Sequence, residues 1–236
     1  MAVRSLWREP EAVEVTFGAL EFHDVFKIYR SGPAETVALR GLDLRIEHHE
    51  LLAIFGPSGS GKSTALHLAA ALDEPSAGEV RVFGRSLSRL GNADRARFRA
   101  RDVAIVFQSA NLWSSLTAKE NVLVSLRLAG RACATGTADE ALASFGLRTS
   151  TRQRAGSLSG GEQQRVAIAA AAARAAPLVL ADEPTAELDE QNELVVLDAL
   201  RRLRDVFGST VVVVTHSLRV AEAADRVVEL RDGRIA

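Results

Sequence analysis

A glycine-rich loop between an apolar run and a helical pattern constrains this chain more than any other feature. Leu51–Phe55 reads LLAIF, the next residues read GPSGSGKST, and ALHLAAALD follows directly. Strand, glycine loop and helix in this order predict one unit of a parallel sheet. The runs LVLA and VVVV are also apolar at every position, which is typical of strands covered by helices on both faces. We therefore predict an α/β fold.

Apolar runs bounded by turn residues predict the other elements of this fold. The predicted strands are Leu20–Ile28, Leu42–Ile46, Leu51–Phe55, Glu79–Phe83, Val103–Phe107, Leu178–Ala181, Thr210–Val214 and Arg226–Leu230. From about Ser109 to Arg154 helical patterns dominate, with Ala118–Ala129 and Ala138–Phe145 the clearest. Asp232 and Gly233 predict a hairpin turn, and therefore a small antiparallel part.

Composition argues against several classes of protein. With 29 basic and 30 acidic residues the net charge is −1, so no overall field attracts nucleic acid or anionic lipid. The single cysteine, Cys133, cannot form an intrachain disulfide, which agrees with a reducing compartment. Glu9 and Glu11 interrupt the stretch where a secretory signal needs apolar residues. The apolar stretch Val166–Ala181 contains an arginine and a proline, so we expect no membrane span.

The glycine loop matches GxxxxGK[ST], the pattern of a phosphate-binding loop. Its glycines let backbone amides turn toward phosphate oxygens, and the following helix adds its positive end. Lys62 is placed to neutralise the β and γ phosphates, Ser63 to ligate Mg²⁺ and Thr64 to contact the α-phosphate. The alternative is a glycine-rich connection with a coincidental lysine, which the correct flanks disfavour. The candidate residues are Gly56, Pro57, Ser58, Gly59, Ser60, Gly61, Lys62, Ser63 and Thr64.

Polar residues follow three further strands of the predicted sheet, where open α/β sheets bind their ligands. Asp182 and Glu183 follow LVLA, Gln108 follows VAIVF, and His216 follows VVVVT. Asp182 can hold the shell of a Mg²⁺ ion, and Glu183 can orient or deprotonate a water molecule. Gln108 can sense the metal and the water, and His216 can donate a hydrogen bond to the γ-phosphate. Taken alone, residues of these types at strand ends are more often ordinary loop or cap residues, but the glycine loop in the same chain favours the functional interpretation of Asp182 and Glu183.

The stretch LSGGEQQR, Leu158–Arg165, opens a predicted helix with two adjacent glycines, each of which weakens a helix interior by about 1 kcal/mol. Ser159 and Glu162 have the spacing of a capping box, which explains the helix start. A capping box does not require Gly160 and Gly161 in the same turn. The glycines therefore indicate that another group approaches this backbone.

Together these motifs resemble the ATP-binding subunits of ABC transporters, from about Leu20 to Ile235. In family order they are GPSGSGKST, Gln108, LSGGEQQR, LVLADEP, AELD ending at Asp189, and His216. LSGGEQQR is the most specific element, because other P-loop families lack it. The resemblance implies a single P-loop NTPase domain over 1–236, with a RecA-like parallel-sheet core and a small antiparallel β subdomain at about 18–108 and 155–236. It places a helical subdomain at about 109–154, after Gln108, and an N-terminal extension at 1–17.

The resemblance also implies ATP hydrolysis with Mg²⁺ by two copies paired head to tail. In such a pair Ser159, Gly160 and Gly161 of one copy cover the ATP held by the glycine loop of the other. Asp189 contacts the opposite site. Tyr29 stands at about the position of the family residue that stacks on adenine, with Phe26 as the alternative.

A membrane partner is a further implication of the resemblance. The family drives integral membrane permeases from the cytoplasmic face of the cell membrane. Leu112, Trp113 and Leu116 are candidates for the contact patch, and burial in the helical insertion is the alternative. GPSGSGKST, LTAKENV and LSGGEQQRVAIA look most like the group that serves lipoprotein release, macrolide or peptide export, and cell division. Departures at His49 and at Ala169–Ala172 leave the transported substance open.

Two other functions share these motifs. DNA-associated ATPases carry the same signature, but they insert long coiled coils, and no sustained heptads lie between Thr64 and Leu158. The arginines between Arg85 and Arg101 favour nucleic acid, whereas Asp94 and Asp102 favour a solvated surface. We therefore expect no nucleic-acid partner. A regulatory ATPase that signals through a membrane partner has the same sequence pattern.

Overall fold

A computed structural model describes residues 17–32, 34–109, 111–132 and 135–236. The expectations for residues 1–16, including the lack of a secretory signal, and for Cys133 lie outside the described residues. The strands are β1 Leu20–Ser31, β2 Ala34–Ile46, β3 Leu51–Phe55, β4 Ala77–Val82, β5 Arg85–Ser86, β6 Val103–Val106, β7 Leu178–Asp182, β8 Thr210–Thr215, β9 Arg226–Arg231 and β10 Arg234–Ile235. The helices are α1 Lys62–Ala69, α2 Asn92–Arg101, α3 Ala118–Leu128, α4 Thr135–Ser144, α5 Gly160–Ala173, α6 Glu190–Asp205 and α7 Leu218–Glu222, with a 3₁₀ turn at Ala155–Ser157.

The central sheet has the strand order β10-β9-β3-β8-β7-β6, and the strands from β9 to β6 run parallel. β3, β7 and β8 are buried along nearly their whole length, as their uniformly apolar sequences predict. The predicted α/β core is therefore confirmed. Asp232 and Gly233 both have positive φ, at 47° and 78°, and turn β9 back into the antiparallel β10. The predicted hairpin is thus present at the edge of the sheet.

A second sheet, with the order β2-β1-β4-β5, is antiparallel throughout. β2 is longer than predicted, because its first half, Ala34–Gly41, buries only Leu39 fully and shows no regular alternation of apolar and polar residues. Pairing with β1, such as Ile28 opposite Val37, holds this half in place. The extra length matters for function, since it brings the outer part of β2 beside the glycine loop.

The arginine-rich stretch forms helix α2, which the sequence did not indicate. Phe98 is the residue of this helix that is buried. Arg97 pairs with Asp94 at the surface, as expected for a solvated face. Arg99, in contrast, donates to the backbone carbonyl of Ala71 and ties the helix to the body of the domain. Arginine on this helix therefore serves packing as well as solvation.

The helical insertion shares one apolar core with the parallel sheet. Leu126 of α3 and Leu142 of α4 belong to the same cluster of buried side chains as Val179 of β7 and Val213 of β8. Helix α5 packs on α3, α4 and β6, and so links the two helices of the insertion to the sheet. Residues 109–154 thus depend on the sheet for their core, which supports the proposal of a single folding domain.

In the described part of the chain, no helix has both the length and the apolar character needed to cross a membrane.

Replacement of a buried insertion residue should destabilise the whole domain. Leu126 is 1% exposed, so Leu126→Ala should lower the free energy of unfolding by about 2–5 kcal/mol through lost contacts and a cavity. Leu128→Ala on the same helix, at a position 64% exposed, is the matched control and should change stability little. Urea unfolding followed by circular dichroism should give one transition for both variants. A separate transition for the insertion would contradict the shared core.

Candidate functional site

The carboxyl ends of β3, β7 and β8 open into a cavity of about 600 Å³ beside the glycine loop. Its lining combines loop residues with polar residues from the strand ends. The residues are Thr36, Val37, Ala38, Ser58, Gly59, Gly61, Lys62, Ser63, Thr64, Gln108, Glu183, Ala186 and His216. Thr36, Val37 and Ala38 were missed from sequence, because nothing in the pattern of β2 indicated that this exposed strand reaches the loop.

The glycine loop holds a conformation that side chains would prevent. Gly61 has φ of 104°, and a Cβ there would lie 2.4 Å from the carbonyl oxygen of Ala38. A Cβ at Gly56 would lie 2.2 Å from the carbonyl oxygen of Leu230. Both contacts are with backbone and cannot be relieved by a rotamer change. These glycines are therefore required by the close approach of β2 and β9 to the loop.

Lys62 is buried, and its ammonium group is held inside the curve of the loop. Its Nζ donates to the carbonyl oxygens of Gly56 at 2.8 Å and Pro57 at 2.9 Å. Glu183 Oε1 lies 3.9 Å from the same nitrogen. The loop carbonyls thus stabilise a charge that would be costly to bury unpaired. Lys62 therefore presents its positive charge to the cavity from a defined position.

A hydroxyl and a carboxylate meet at the mouth of the loop, as the sequence predicted. Ser63 Oγ donates to Asp182 Oδ1 at 3.0 Å. No group of three or more histidine, cysteine or acidic side chains able to hold a metal occurs within the described ranges. Mg²⁺ prefers oxygen ligands and usually takes only one or two from protein beside water and phosphate. The Ser63 and Asp182 pair therefore fits Mg²⁺ bound together with a phosphate ligand.

Glu183 and His216 form a pair at the ends of β7 and β8. Glu183 Oε2 lies 2.9 Å from His216 Nδ1 and 3.3 Å from its backbone amide nitrogen. Glu183 also has φ of 47°, a left-handed conformation that costs a non-glycine residue free energy. Its amide donates to the carbonyl of Val214, which helps to hold the turn. The carboxylate lies between Lys62 and His216.

Gln108 reaches the same cavity from the end of β6. Its amide nitrogen donates to Glu187 Oε1 at 3.1 Å. Gln164, which is buried in α5, donates to the carbonyl oxygen of Phe107 at 2.9 Å and also to that of Gln108. The loop bearing Gln108 is thus fastened to the helix that begins with the LSGG sequence. Glu187 and Gln164 lie within the quoted motifs AELD and LSGGEQQR, but sequence reasoning assigned them no role, because their contacts with Gln108 and Phe107 join residues far apart in the chain.

The predicted capping box at the start of α5 is present. Ser159 Oγ lies 3.3 Å from the Glu162 amide nitrogen, and the Ser159 amide donates to Glu162 Oε2 at 3.0 Å. That amide hydrogen bond is the main cause of a pKa of Glu162 below its ordinary value. Burial acts in the opposite direction, and the Ser159 hydroxyl adds to the lowering. Glu162 is therefore ionised at neutral pH and faces the positive end of the helix.

The two glycines of this helix have different surroundings. A Cβ at Gly161 would lie 2.6 Å from Asn192 Oδ1, whereas a Cβ at Gly160 would meet only Leu188 Cδ2 at 3.2 Å. Asn192 in turn donates to Asp189, which caps the start of α6. Gly161 thus allows α5 and α6 to pack closely within this chain. Packing within the chain therefore accounts for the glycine at position 161, but much less for the glycine at position 160.

Ser159, Gly160, Gly161 and Asp189 are separate from the loop cavity, whose lining among the described residues does not include them. The structure of one chain therefore brings together Lys62, Ser63, Asp182, Glu183, Gln108 and His216, and leaves the LSGG and Asp189 positions apart. Within one copy, the two halves of the predicted ATP site do not meet.

Tyr29 and Phe26 differ in their relation to the cavity. Tyr29 is 40% exposed and pairs in register with Thr36, which lines the cavity. Phe26 lies against Gly41 of β2, where its ring is 3.2 Å from the position of an added Cβ. Tyr29 is therefore the better placed of the two aromatic candidates.

Leu112 and Trp113 of the contact patch predicted after Gln108 line a groove between α3 and α5, whereas Leu116 is not among the residues that line it. Trp113 is 52% exposed at its rim, whereas Leu112 packs partly against the main core. The groove encloses about 150 Å³ and is lined by Trp113, Leu128 and the small residues Ala167, Ala170 and Ala171, among others. Trp113 thus follows the surface interpretation, and Leu112 mainly the core interpretation.

Comparisons with known proteins agree with this geometry. The family model described as ABC transporter matches residues 39–186. The chain is 43% identical to the lipoprotein-releasing system ATP-binding protein LolD of Geobacter metallireducens, over 92% of this chain and 97% of that protein. It is 40% identical to the macrolide export ATP-binding/permease protein MacB of Azoarcus sp., over 92% of this chain and 33% of that protein. A solved dimeric, post-hydrolysis ATP-binding cassette bound to ADP and Pi has a TM-score of 0.84 at 37% identity, covering 92% of this chain and 96% of that one.

Loss of the capping carboxylate should make stability less dependent on pH. The pKa of Glu162 is lower in the folded chain than its ordinary value of 4.5, so its contribution is complete above that pH and is lost as pH falls through the folded pKa. Glu162→Gln should lower the free energy of unfolding by about 1 kcal/mol at pH 7. The gap from the unmodified protein should narrow as the pH falls below 4.5 in urea titrations. Glu140→Gln, on the exposed side of α4, should give no such gap, and a constant gap for Glu162→Gln would argue against a charge effect.

Proposed function

The chain belongs to the ABC transporter family of ATP-binding proteins, and we propose that it hydrolyses ATP as a dimer to drive a separate membrane permease. ATP binding and hydrolysis are the activity of this family. The cavity that joins Lys62, the Ser63 and Asp182 pair, and the Glu183 and His216 pair is the observation that carries the assignment to these residues. The alternative kept from the sequence is a family member that signals through a membrane partner and transports nothing.

Lys62 and the loop amides bind the triphosphate. The backbone amides of Ser58–Thr64 surround the phosphate oxygens, and the positive end of α1 adds to the field. The Lys62 ammonium exchanges its carbonyl partners for β and γ phosphate oxygens, which neutralise it more completely. Since phosphoryl transfer depends on positioning and charge neutralisation, this binding already supplies part of the catalysis.

Ser63 and Asp182 are the proposed Mg²⁺ ligands. Their oxygens stand 3.0 Å apart at the end of the loop, beside the place that the phosphates would occupy. When bound, Mg²⁺ withdraws charge from the phosphate oxygens and so stabilises the leaving group. Asp182 contributes a negative charge that keeps the metal at this end of the cavity. Gln108, on the opposite wall, is the proposed third contact.

Glu183 orients the attacking water and accepts its proton. The left-handed turn at Glu183 and its hydrogen bond to His216 fix the carboxylate at the cavity wall. His216 can then release Glu183 and donate to a γ-phosphate oxygen. Gln108, whose side chain donates to Glu187, would instead contact the water and the metal. Each of the three side chains therefore has a hydrogen-bond partner within the chain.

Two copies complete each site. Ser159 and Gly160 lie at a helix start that faces no triphosphate in its own chain, and helix starts of this kind bind anions. Placed against the glycine loop of a second copy, the Ser159 hydroxyl would donate to the γ-phosphate. The dimeric form of the similar cassette bound to ADP and Pi supports this pairing. Asp189, which caps α6 beside Gly161, would then contact the opposite site.

The groove between α3 and α5 is the proposed docking site for the permease. Trp113 and Leu128 give it an exposed apolar rim, and the alanines of α5 leave its floor shallow. The groove lies beside the loop of Gln108, so movement at the ATP site can reach the partner. We place the protein on the cytoplasmic face of the membrane, in a system for export or extraction, as the similar lipoprotein-releasing and macrolide-export proteins suggest.

Removal of the loop ammonium should abolish nucleotide binding. Lys62→Ala loses the charge that faces the β and γ phosphates, so we expect at least a hundredfold weaker ATP binding. Lys119→Ala, which removes a partly exposed ion pair with Asp139, is the matched control. A fluorescent ATP analogue in equilibrium titration measures both variants. Undiminished binding by Lys62→Ala would refute the loop assignment.

Replacement of the catalytic carboxylate should trap the ATP-loaded dimer. Glu183→Gln keeps the size of the side chain but cannot accept the proton, so ATP should bind while turnover falls at least a hundredfold. Light scattering should then detect dimer with ATP. Adding Ser159→Phe to this variant should prevent the dimer and spare ATP binding. Thr117→Phe, which removes the equivalent cap of α3, is the control and should leave the dimer intact.

Either of two results would contradict this mechanism. Normal turnover by Glu183→Gln would show that another group accepts the proton. An ATP-dependent dimer that survives Ser159→Phe as well as Thr117→Phe would show that the start of α5 is not at the interface.

A further inference from the structure

Lys27, Tyr29 and Asp73 form a side-chain cluster at the rim of the cavity, here called the Tyr29 cluster. Tyr29 of β1 stands directly opposite Thr36 of β2, and directly opposed residues in antiparallel strands project to the same face. Thr36 lines the cavity, and so does Thr64, whose side chain is close enough to the Tyr29 phenol to act on its pKa. The ring of Tyr29 is therefore next to two lining residues, one from each wall.

Asp73 and Lys27 hold this ring from two sides. The Tyr29 hydroxyl donates to Asp73 Oδ2 at 3.0 Å, and Lys27 Nζ donates to Asp73 Oδ1 at 2.6 Å. The same ammonium donates to the Glu74 carbonyl and lies 4.8 Å from the centre of the Tyr29 ring. One carboxylate oxygen of Asp73 thus accepts a hydrogen bond from the Tyr29 hydroxyl, and the other accepts from the Lys27 ammonium, which lies above the ring. An exposed tyrosine without such partners would keep several rotamers and lose that freedom on binding.

Ionisation favours this arrangement at neutral pH. Burial opposes the charge on Asp73, but hydrogen bonds from Lys27, the Glu74 amide and Tyr29 outweigh it and hold the pKa of Asp73 below its ordinary value. Burial, together with Asp73, raises the pKa of Tyr29, although the Thr64 contact acts against this. The cluster therefore pairs a charged acceptor with a neutral phenol donor, and such hydrogen bonds are strong.

We propose that Asp73 and Lys27 are positioning residues for the purine base, which fix the Tyr29 ring so that it stacks on the base of the bound nucleotide. The inference rests on the proposed function, because the loop must first hold the phosphates. Lys27 occupies one face of the ring, so the base uses the other. Stacking tolerates any base, since every base has a π face. The cluster thus makes the chain bind a nucleoside triphosphate more tightly than inorganic triphosphate. It strengthens the binding of adenine and guanine nucleotides to the same extent.

The test compares ATP, GTP and inorganic tripolyphosphate as ligands of the full chain. Tyr29→Ala should weaken ATP and GTP about 5- to 100-fold, the range for loss of one stacking partner. Asp73→Ala should weaken both nucleotides about 3- to 10-fold, since the ring remains but is no longer fixed. Neither variant should change tripolyphosphate binding by more than about twofold. Asp94→Ala, which breaks an exposed pair with Arg97, is the matched control and should change none of the three.

A double-mutant cycle separates positioning from a structural role. In the Tyr29→Ala background, Asp73→Ala should have no further effect on ATP binding, because its only route to the base has been removed. If Asp73→Ala weakens tripolyphosphate as much as ATP, or keeps its full effect without Tyr29, the inference is overturned and the phosphate site stands. If the unmodified chain binds neither ATP nor tripolyphosphate, the proposed function itself fails.

Discussion

The parallel register of β3, β7 and β8 is the constraint on which the site depends. Asp182 at the end of β7 pairs with Val214 of β8, and Phe55 at the end of β3 pairs with Thr215. Because parallel strands end at the same edge, the residues that follow each strand must meet. Lys62, Asp182 and His216 are far apart in the chain, yet three adjacent strand ends bring them to one cavity.

Each functional group of the site has a partner within the chain. Lys62 is held by loop carbonyls, Glu183 by His216, Gln108 by Glu187 and Ser63 by Asp182. These contacts avoid the cost of leaving buried polar groups unpaired. In the proposed mechanism Lys62, His216 and Gln108 exchange these partners for the nucleotide and the attacking water. The strained backbone at Glu183 lies at the same site.

Helix α5 connects the parts of the molecule that the proposed cycle must coordinate. Its first turn carries the capped Ser159, and its Gly161 allows close packing on Asn192 and so on Asp189. One turn later, Gln164 holds the backbone of the loop that carries Gln108. The same helix forms the alanine floor of the groove proposed for the permease. A displacement of its start by a second copy therefore has direct contacts through which to reach both Gln108 and the partner.

Local patterns in the sequence determined the parallel sheet, the glycine loop, the capping box of α5 and the Asp232 and Gly233 hairpin. Each depends on residues adjacent in the chain, such as an apolar run or the fixed spacing of Ser159 and Glu162. Only the tertiary structure decided which groups complete the site. The outer half of β2 reaches the loop through pairing with β1, although its own sequence shows no regular alternation of apolar and polar residues. Only the tertiary structure likewise showed helix α2, the contact of Gln164 with the Gln108 loop and the contact of Asp73 with Tyr29. These contacts join residues distant in sequence, and such contacts leave no periodic signal in a single chain.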